Sequence, residues 1–210
     1  MTEVFLLDVP RISDDEFNSL LTLVSPDRAA KVQRLKVKQK QLQSLFAKLL
    51  LRAVLCDRLN VQNSELEFFV TENGKPYLKD HKVYFSISHT ASLVAVALSN
   101  SEVGVDIEAV RPLKHNGYTK FLTADEQIYI GADSTWSEQR FFEVWTKKEA
   151  YFKRFGEGIG EMAALVSILN EPTVSTAVLG KTVISVCCDG EFKLIKTAET
   201  ERVLRKFLNV

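Results

Sequence analysis

Residues 41–59 place Leu42, Leu45, Phe46, Leu49, Leu50 and Ala53 at intervals of three and four. That period puts the large apolar side chains on one face of an amphipathic α-helix. A helix of about five turns cannot bury such a stripe alone, so other elements must cover it. Strand-like apolar runs at 4–9, 66–70, 83–87 and 93–98 surround it in the sequence. Two capping boxes, Ser13-Asp14-Asp15-Glu16 and Thr123-Ala124-Asp125-Glu126, open short helices, and Pro26 occupies a first helical position. Residues 137–155 read as a long helix, broken by Gly156, Gly158 and Gly160 into a mobile loop. Asn73-Gly74 marks a turn. Residues 182–188 and 191–197, flanking Asp189-Gly190, are predicted to form a β-hairpin. No low-complexity linker or internal repeat is visible, and the turn near residue 100 is the best boundary between two halves.

The 210 residues suffice for one large domain or two small ones. Formal net charge is zero, which excludes a strongly basic protein built to coat nucleic acid. No apolar run approaches the roughly 20 residues of a membrane span. Residues 1–10 carry Glu3 and Asp8 and no basic residue, unlike a signal peptide. Three cysteines, two of them adjacent (Cys187, Cys188), do not form a disulfide framework, and a cytoplasmic location fits.

The chemistry lies in two acidic patches. Val103-Gly104-Val105-Asp106-Ile107-Glu108 reads as a strand, with Asp106 and Glu108 on one face and the bulky aliphatic residues on the other. Trp145-Thr146-Lys147-Lys148-Glu149-Ala150-Tyr151-Phe152-Lys153 reads as a helix with Glu149 and Lys153 on one face. Together they offer three carboxylates and an amine, suited to a hard cation such as Mg²⁺ on a phosphate-bearing substrate. Taken alone, Lys147-Lys148-Glu149 reads as a solvated helix face with a Glu149–Lys153 ion pair, and Trp145 reads as core. Ser88-His89, where a strand breaks, offers a hydroxyl and an imidazole able to donate to phosphate oxygens. The basic run Arg28, Lys31, Arg34, Lys36, Lys38, Lys40 is either a solvated face or a cationic rim for an anionic substrate. Lys75 sits in a rigid turn between Gly74 and Pro76.

The order of these motifs is more specific than any one of them. Gly74-Lys75-Pro76-Tyr77-Leu78, Phe85-Ser86-Ile87-Ser88-His89-Thr90, the acidic strand and the Trp145–Lys153 helix together closely resemble the 4′-phosphopantetheinyl transferases of the larger, surfactin-synthetase-activator type. The resemblance runs from the basic residues near 28 to the glycines near 160. It implies an α/β (α+β) fold of two similar subdomains with pseudo-twofold symmetry, each a small antiparallel sheet packed with helices. Residues 1–101 would form the coenzyme A-binding half, and 102–210 the half with the magnesium and catalytic residues. It further implies a monomer, since one chain supplies both sides of the cleft.

By position, Asp106, Glu108 and Glu149 would ligate magnesium, and Lys153 would contact the pyrophosphate of coenzyme A. Ser88 and His89 would contact its phosphates, His89 the 3′-phosphate, and Lys75 would lie beside the adenine and its phosphates. Arg28 and Lys31 match basic positions near the nucleotide. Ser44 matches a small hydroxyl residue that follows a basic one in relatives. Here Gln43 stands in place of that arginine, which leaves Lys40 or Lys48 to replace one 3′-phosphate contact. Glu126 matches an acid near the metal in some relatives, or simply caps its helix. The implied reaction transfers 4′-phosphopantetheine from coenzyme A to a serine hydroxyl of an acyl or peptidyl carrier protein. It depends on magnesium and releases adenosine 3′,5′-bisphosphate, with Glu149 as base. The basic and apolar stretch from Lys114 to Lys120 and the loop 155–162 are the expected docking surface for an acidic carrier. The alternative is another magnesium-dependent phosphoryl-transfer enzyme or a phosphohydrolase acting on a nucleotide-like substrate.

Overall fold

The computed structural model describes residues 1–80, 82–113, 117–131, 136–195 and 197–209. Strand β1 (Thr2–Asp8) opens the chain, followed by helices α1 (Asp14–Leu21), α2 (Pro26–Gln33) and α3 (Lys38–Leu59). A small hairpin, β2 (Phe68–Val70) and β3 (Pro76–Leu78), precedes a longer one, β4 (Tyr84–His89) and β5 (Leu93–Ser99). Then come β6 (Gly104–Ala109), α4 (Ala124–Ile130), α5 (Glu138–Phe155), β7 (Val174–Leu179), β8 (Thr182–Cys187), β9 (Phe192–Ile195) and α6 (Thr197–Leu208). Both capping boxes form as expected, and Gly156 caps α5 in the left-handed region at φ 75°. Among the described residues, no helix is long and apolar enough to cross a membrane.

One sheet has the order β4-β5-β1-β9 and the other β6-β8-β7. The two share a connectivity. In each, a first strand leads through helix to a hairpin whose second strand pairs antiparallel with the first: β1, α3, β4–β5 and β6, α5, β7–β8.

The faces of the strands explain the layering. Phe5 and Leu7 of β1, with Val94, Val96 and Leu98 of β5, point into the core shared with α3. Val4 and Leu6, with Ala95 and Ala97, point the other way, against Val105 and Ile107 of β6 and Ile184 and Val186 of β8. A third core lies between the second sheet and α5, around Phe141, Phe142, Val144 and Val183. The order of layers is therefore α3, first sheet, second sheet, α5. Sandwiched between the sheet, α2 and α6, α3 is buried well beyond its predicted stripe: Ala47, Leu51, Val54 and Leu55 are buried too.

Residues 182–197 require a correction. β8 and β9 both exist, but they do not pair. β8 pairs with β6 and β7, while β9 crosses to the first sheet and runs parallel to β1, with Val4 opposite Leu194. The partner of β8 is β7, joined to it through Gly180 at φ 59°, a conformation that favours glycine. The turn at Gly190 (φ 77°) instead redirects the chain between sheets. α6 follows β9 back and packs on α3 and β1, so Ile195, Val203 and Leu204 join the first core.

Candidate active site

The site forms where the exposed edges of the two sheets meet. β6 is an edge strand, and its outward N–H groups need acceptors. Two serines of β4 supply them: Val105 N donates to Ser86 Oγ at 3.0 Å and Ile107 N to Ser88 Oγ at 3.3 Å. Ser88 Oγ in turn donates to Asp106 Oδ1 at 2.7 Å. Asp106, only 5% exposed, also receives Lys153 Nζ of α5 at 2.6 Å.

Gly104 fixes the distance between strand and helix. A Cβ there would lie 1.9 Å from the Ala150 carbonyl oxygen and 2.6 Å from Arg154 N, so the α5 backbone rests directly on β6. That approach brings Glu149 and Lys153 beside Asp106 and Glu108. Ser88, His89, Asp106, Glu108, Trp145, Glu149 and Lys153 line one hollow of about 230 Å³. Trp145 is its wall as well as a core residue, stacked on Phe141 with ring centroids 5.9 Å apart. A second hollow of about 340 Å³ shares Ile87 and Lys153 with the first and is lined by Lys48, Gly74, Lys75, Ser86 and the Gly156–Gly158 turn.

The charges in this cleft are unevenly matched. Burial raises the Glu149 carboxyl above its ordinary range; Asp106 and Glu108 raise it further, against the opposing pull of Lys153. Burial lowers the His89 imidazole, and the Lys153 and Arg28 charges add to that shift. Glu108 Oε2 accepts Arg111 Nη1 at 2.8 Å. Among the described residues no group of three or more histidine, cysteine or acidic side chains is gathered as a metal cage. Asp106 and Glu108 are instead each held by a cation. The donor set is still one of hard carboxylate oxygens, and Lys153 and Arg111 are side chains on flexible stems, able to turn aside.

The remaining sequence candidates fall into three groups. Arg28 donates Nη2 to Ser44 Oγ at 3.1 Å, joining α2 to α3. Lys75 Nζ donates to the Arg154 carbonyl at 2.5 Å and pairs with Glu102, so it caps the end of α5 at the edge of the second hollow. Lys31 is exposed on α2 and, like Lys40, lines neither hollow. Of the expected docking surface, Lys114 lies outside the described residues; Lys120 is exposed, with Nζ 4.8 Å from the Phe121 ring centroid. Phe155 and Met162 of the loop 155–162 are exposed.

Lys148 is the residue that motif reading misplaced. It is not solvated: Lys148 and Glu126 are both 0% exposed and pair at 3.0 Å. Lys148 Nζ also donates to the carbonyls of Ala163 at 2.6 Å and Val166 at 2.5 Å. Glu126 accepts Thr123 N at 2.8 Å, completing its capping box, and Ile168 N at 2.9 Å. Glu126 therefore belongs to a strut that ties α4, α5 and residues 161–168 together, and it lines neither hollow. The helical period held the signal: Phe141, Val144, Lys148 and Phe152 follow at three and four, so Lys148 falls on the buried stripe.

Comparison with known proteins identifies the family. Residues 11–101 match the family model of the 4′-phosphopantetheinyl transferase N-terminal region, and residues 102–192 match the 4′-phosphopantetheinyl transferase superfamily. The 4′-phosphopantetheinyl transferase gsp of Aneurinibacillus migulanus is 34% identical over 161 residues, covering 76% of this chain and 68% of the relative. The 4′-phosphopantetheinyl transferase Sfp of Bacillus subtilis is 26% identical over 150 residues, 70% of this chain and 67% of the relative. The 4′-phosphopantetheinyl transferase pptA of Paxillus involutus is 30% identical over 179 residues, 74% of this chain and 68% of the relative. With both halves matched and such relatives aligned over about two thirds of their length, the chain belongs to the 4′-phosphopantetheinyl transferase family.

Proposed function

We propose that this transferase moves the 4′-phosphopantetheine group of coenzyme A to a serine hydroxyl of an acyl or peptidyl carrier protein, with magnesium bound, and releases adenosine 3′,5′-bisphosphate. The observation that carries the reading is the convergence of Asp106, Glu108, Glu149 and Lys153 in a cleft that continues into a hollow lined by Lys48 and Lys75. Such a cleft suits a substrate with several phosphates: acids at one end for a hard cation, amines at the other for the anion.

Asp106, Glu108 and Glu149 would hold the magnesium ion once Lys153 and Arg111 turn away from the first two. When bound, the ion supplies positive charge to the pyrophosphate oxygens. The protein's own groups do the rest. Glu149, raised by burial, accepts the carrier serine proton at neutral pH more readily than an ordinary glutamate. The serine Oγ–phosphorus bond forms as the phosphorus–oxygen bond to the bisphosphate breaks. Lys153, released from Asp106, balances the charge on the departing phosphate. Ser88 holds Asp106 in place through its 2.7 Å hydrogen bond. Both walls of the cleft come from one chain, so a monomer suffices. The free thiols of Cys56, Cys187 and Cys188 suit a reducing cytoplasm.

Mass spectrometry of an apo-carrier panel incubated with coenzyme A and magnesium tests the reading. The expected result is a gain of about 340 Da on the carrier, the phosphopantetheine increment of this covalent modification. Hydrolysis of coenzyme A with no carrier labelled by any panel member would refute it in favour of a phosphohydrolase.

A further inference from the structure

Thr146, Ala150 and Arg154 follow one another at a turn's spacing along α5, and all three are buried. They form the line on which the helix rests against the second sheet. Ala150 and Arg154 meet Gly104 through their backbones. Thr146 makes a contact of another kind. Its Oγ1 lies 2.8 Å from Ser185 Oγ of β8, and both residues are 0% exposed. Ser185 stands opposite Asp106 on β6 and opposite Thr176 on β7, so the three side chains share the face of the sheet that α5 covers.

The three hydroxyls form a chain of fixed direction, because each has one proton to give. Thr146 donates its own to the Phe142 carbonyl at 2.8 Å, so it accepts from Ser185. Ser185, its proton thus used, accepts from Thr176 Oγ1 at 2.9 Å.

The Gly104 contact sets how close α5 lies, but a helix resting on a glycine can still turn about its own axis. A hydrogen bond is directional, and the one from Ser185 to Thr146 opposes that turn. Glu149 and Lys153 each precede a residue of the resting line, so their aim depends on the same angle. Side-chain tips lie about 5–6 Å from a helix axis, so a turn of about 10° moves them by about 1 Å. A misplacement of about 1 Å costs on the order of 100-fold in rate.

We propose that Thr146 and Ser185 are positioning residues for the transfer: the bond between their hydroxyls fixes the rotation of α5 on the sheet and so aims Glu149 and Lys153 at Asp106. The proposal rests on the transferase reading above. Neither Thr146 nor Ser185 lines either hollow, so both act through the helix and not on the substrate.

The test compares wild type with Thr146→Val, Ser185→Ala, the double variant, Thr146→Ser and Thr176→Val. Carrier-labelling kinetics and urea unfolding are measured for all, and crystal structures are determined for wild type and Thr146→Val. Thr146→Val should lower kcat about 10- to 100-fold, while KM for coenzyme A stays within about twofold. Its stability should change little, because Ser185 turns its proton to Thr176 and is not left unpaired. Ser185→Ala and the double variant should lose the same factor in kcat, since all three remove one bond. Thr146→Ser keeps the hydroxyl, and Thr176→Val keeps the Ser185–Thr146 bond; each should stay within about threefold of wild type. In the Thr146→Val crystal structure α5 should be turned by about 10° on β6. Losses in kcat that add across the two single variants, or a Thr176→Val loss as large as that of Thr146→Val, overturn the proposal in favour of packing alone. A Thr146→Val structure with α5 unturned overturns it whether or not wild type labels a carrier. A wild type that labels none, with α5 turned in the variant, refutes the transferase reading and supports the anchoring of α5, so the two failures are distinguishable.

Discussion

Replacing Gly104 with alanine tests how the fold sets the active-site distances. The new Cβ would sit 1.9 Å from the Ala150 carbonyl oxygen, whereas ordinary contact begins at 3.4 Å, so α5 must retreat by about 1.5 Å. A retreat of that size carries Lys153 Nζ from 2.6 Å to about 4 Å from Asp106, beyond hydrogen-bond reach. It also draws Glu149 away from the strand acids. Overpacking of this kind costs about 1–3 kcal/mol. At roughly 2–4 °C per kcal/mol for a chain of this size, Tm should drop by about 2–12 °C. Misplacing reacting groups by about 1 Å costs on the order of 100-fold in rate, or about 2.7 kcal/mol of barrier.

The assay pairs thermal unfolding with carrier-labelling kinetics. The expected result is a loss of kcat/KM larger than the fraction of unfolded protein explains. Gly131→Ala is the control, because a Cβ there meets only the Gln127 carbonyl oxygen at 3.5 Å, an ordinary contact; it should leave both readouts unchanged. If Gly104→Ala keeps wild-type Tm and its kcat/KM stays within about threefold, the close packing of α5 on β6 does not position the site.

Two further predictions concern buried charge. Lys148→Met strands Glu126 without its cation and should cost about 3–5 kcal/mol, whereas adding Glu126→Gln, which removes the unpaired charge but keeps an acceptor for only one of Thr123 N and Ile168 N, should recover part of it in urea unfolding; equal losses in single and double variants would show the pair is uncoupled. Glu149→Gln should abolish carrier labelling yet raise Tm of the metal-free protein at pH 7. The Glu149 carboxyl is raised in the folded state, so its ionised form opposes folding, and the gain should vanish as pH falls and wild-type Glu149 protonates. A Tm that is lower than wild type at pH 7 would contradict the sign.

What the sequence made legible was local. The capping boxes at Ser13 and Thr123 announce themselves within four residues, and both close as expected. Asp106 with Glu108, and Glu149 with Lys153, declare a shared face through the periods of strand and helix. Pairing across the chain was not legible. Asp189-Gly190 between two apolar runs has the local chemistry of a hairpin, yet β9 leaves β8 for an open edge of the first sheet beside β1. No local residue encodes that choice, because a core more than 180 positions away decides it. Lys148 was misread for the opposite reason. Its charge suggested solvent, although its place on the stripe of Phe141, Val144 and Phe152 pointed inward. The partner Glu126, on another helix, and the carbonyls of Ala163 and Val166 make burial tolerable.

The serines of β4 show why a cleft exists at all between two sheets that abut. Had β4 and β6 paired through backbone, the two strands would have lain about 4.8 Å apart in a continuous sheet, closing the space the substrate needs. Instead side-chain hydroxyls span the gap: Ser86 and Ser88 accept Val105 N and Ile107 N, so the edge is satisfied without a ladder. A hydroxyl both accepts and donates, and Ser88 uses the second capacity to hold Asp106. Asp106 can then be buried as an anion because Ser88 and Lys153 both donate to it. Lys153 reaches that position only because Gly104 lets α5 lie on the strand. Under the proposed mechanism the ammonium that holds Asp106 would also balance the departing phosphate, and its transfer from carboxylate to phosphate would couple substrate binding to release of the acids.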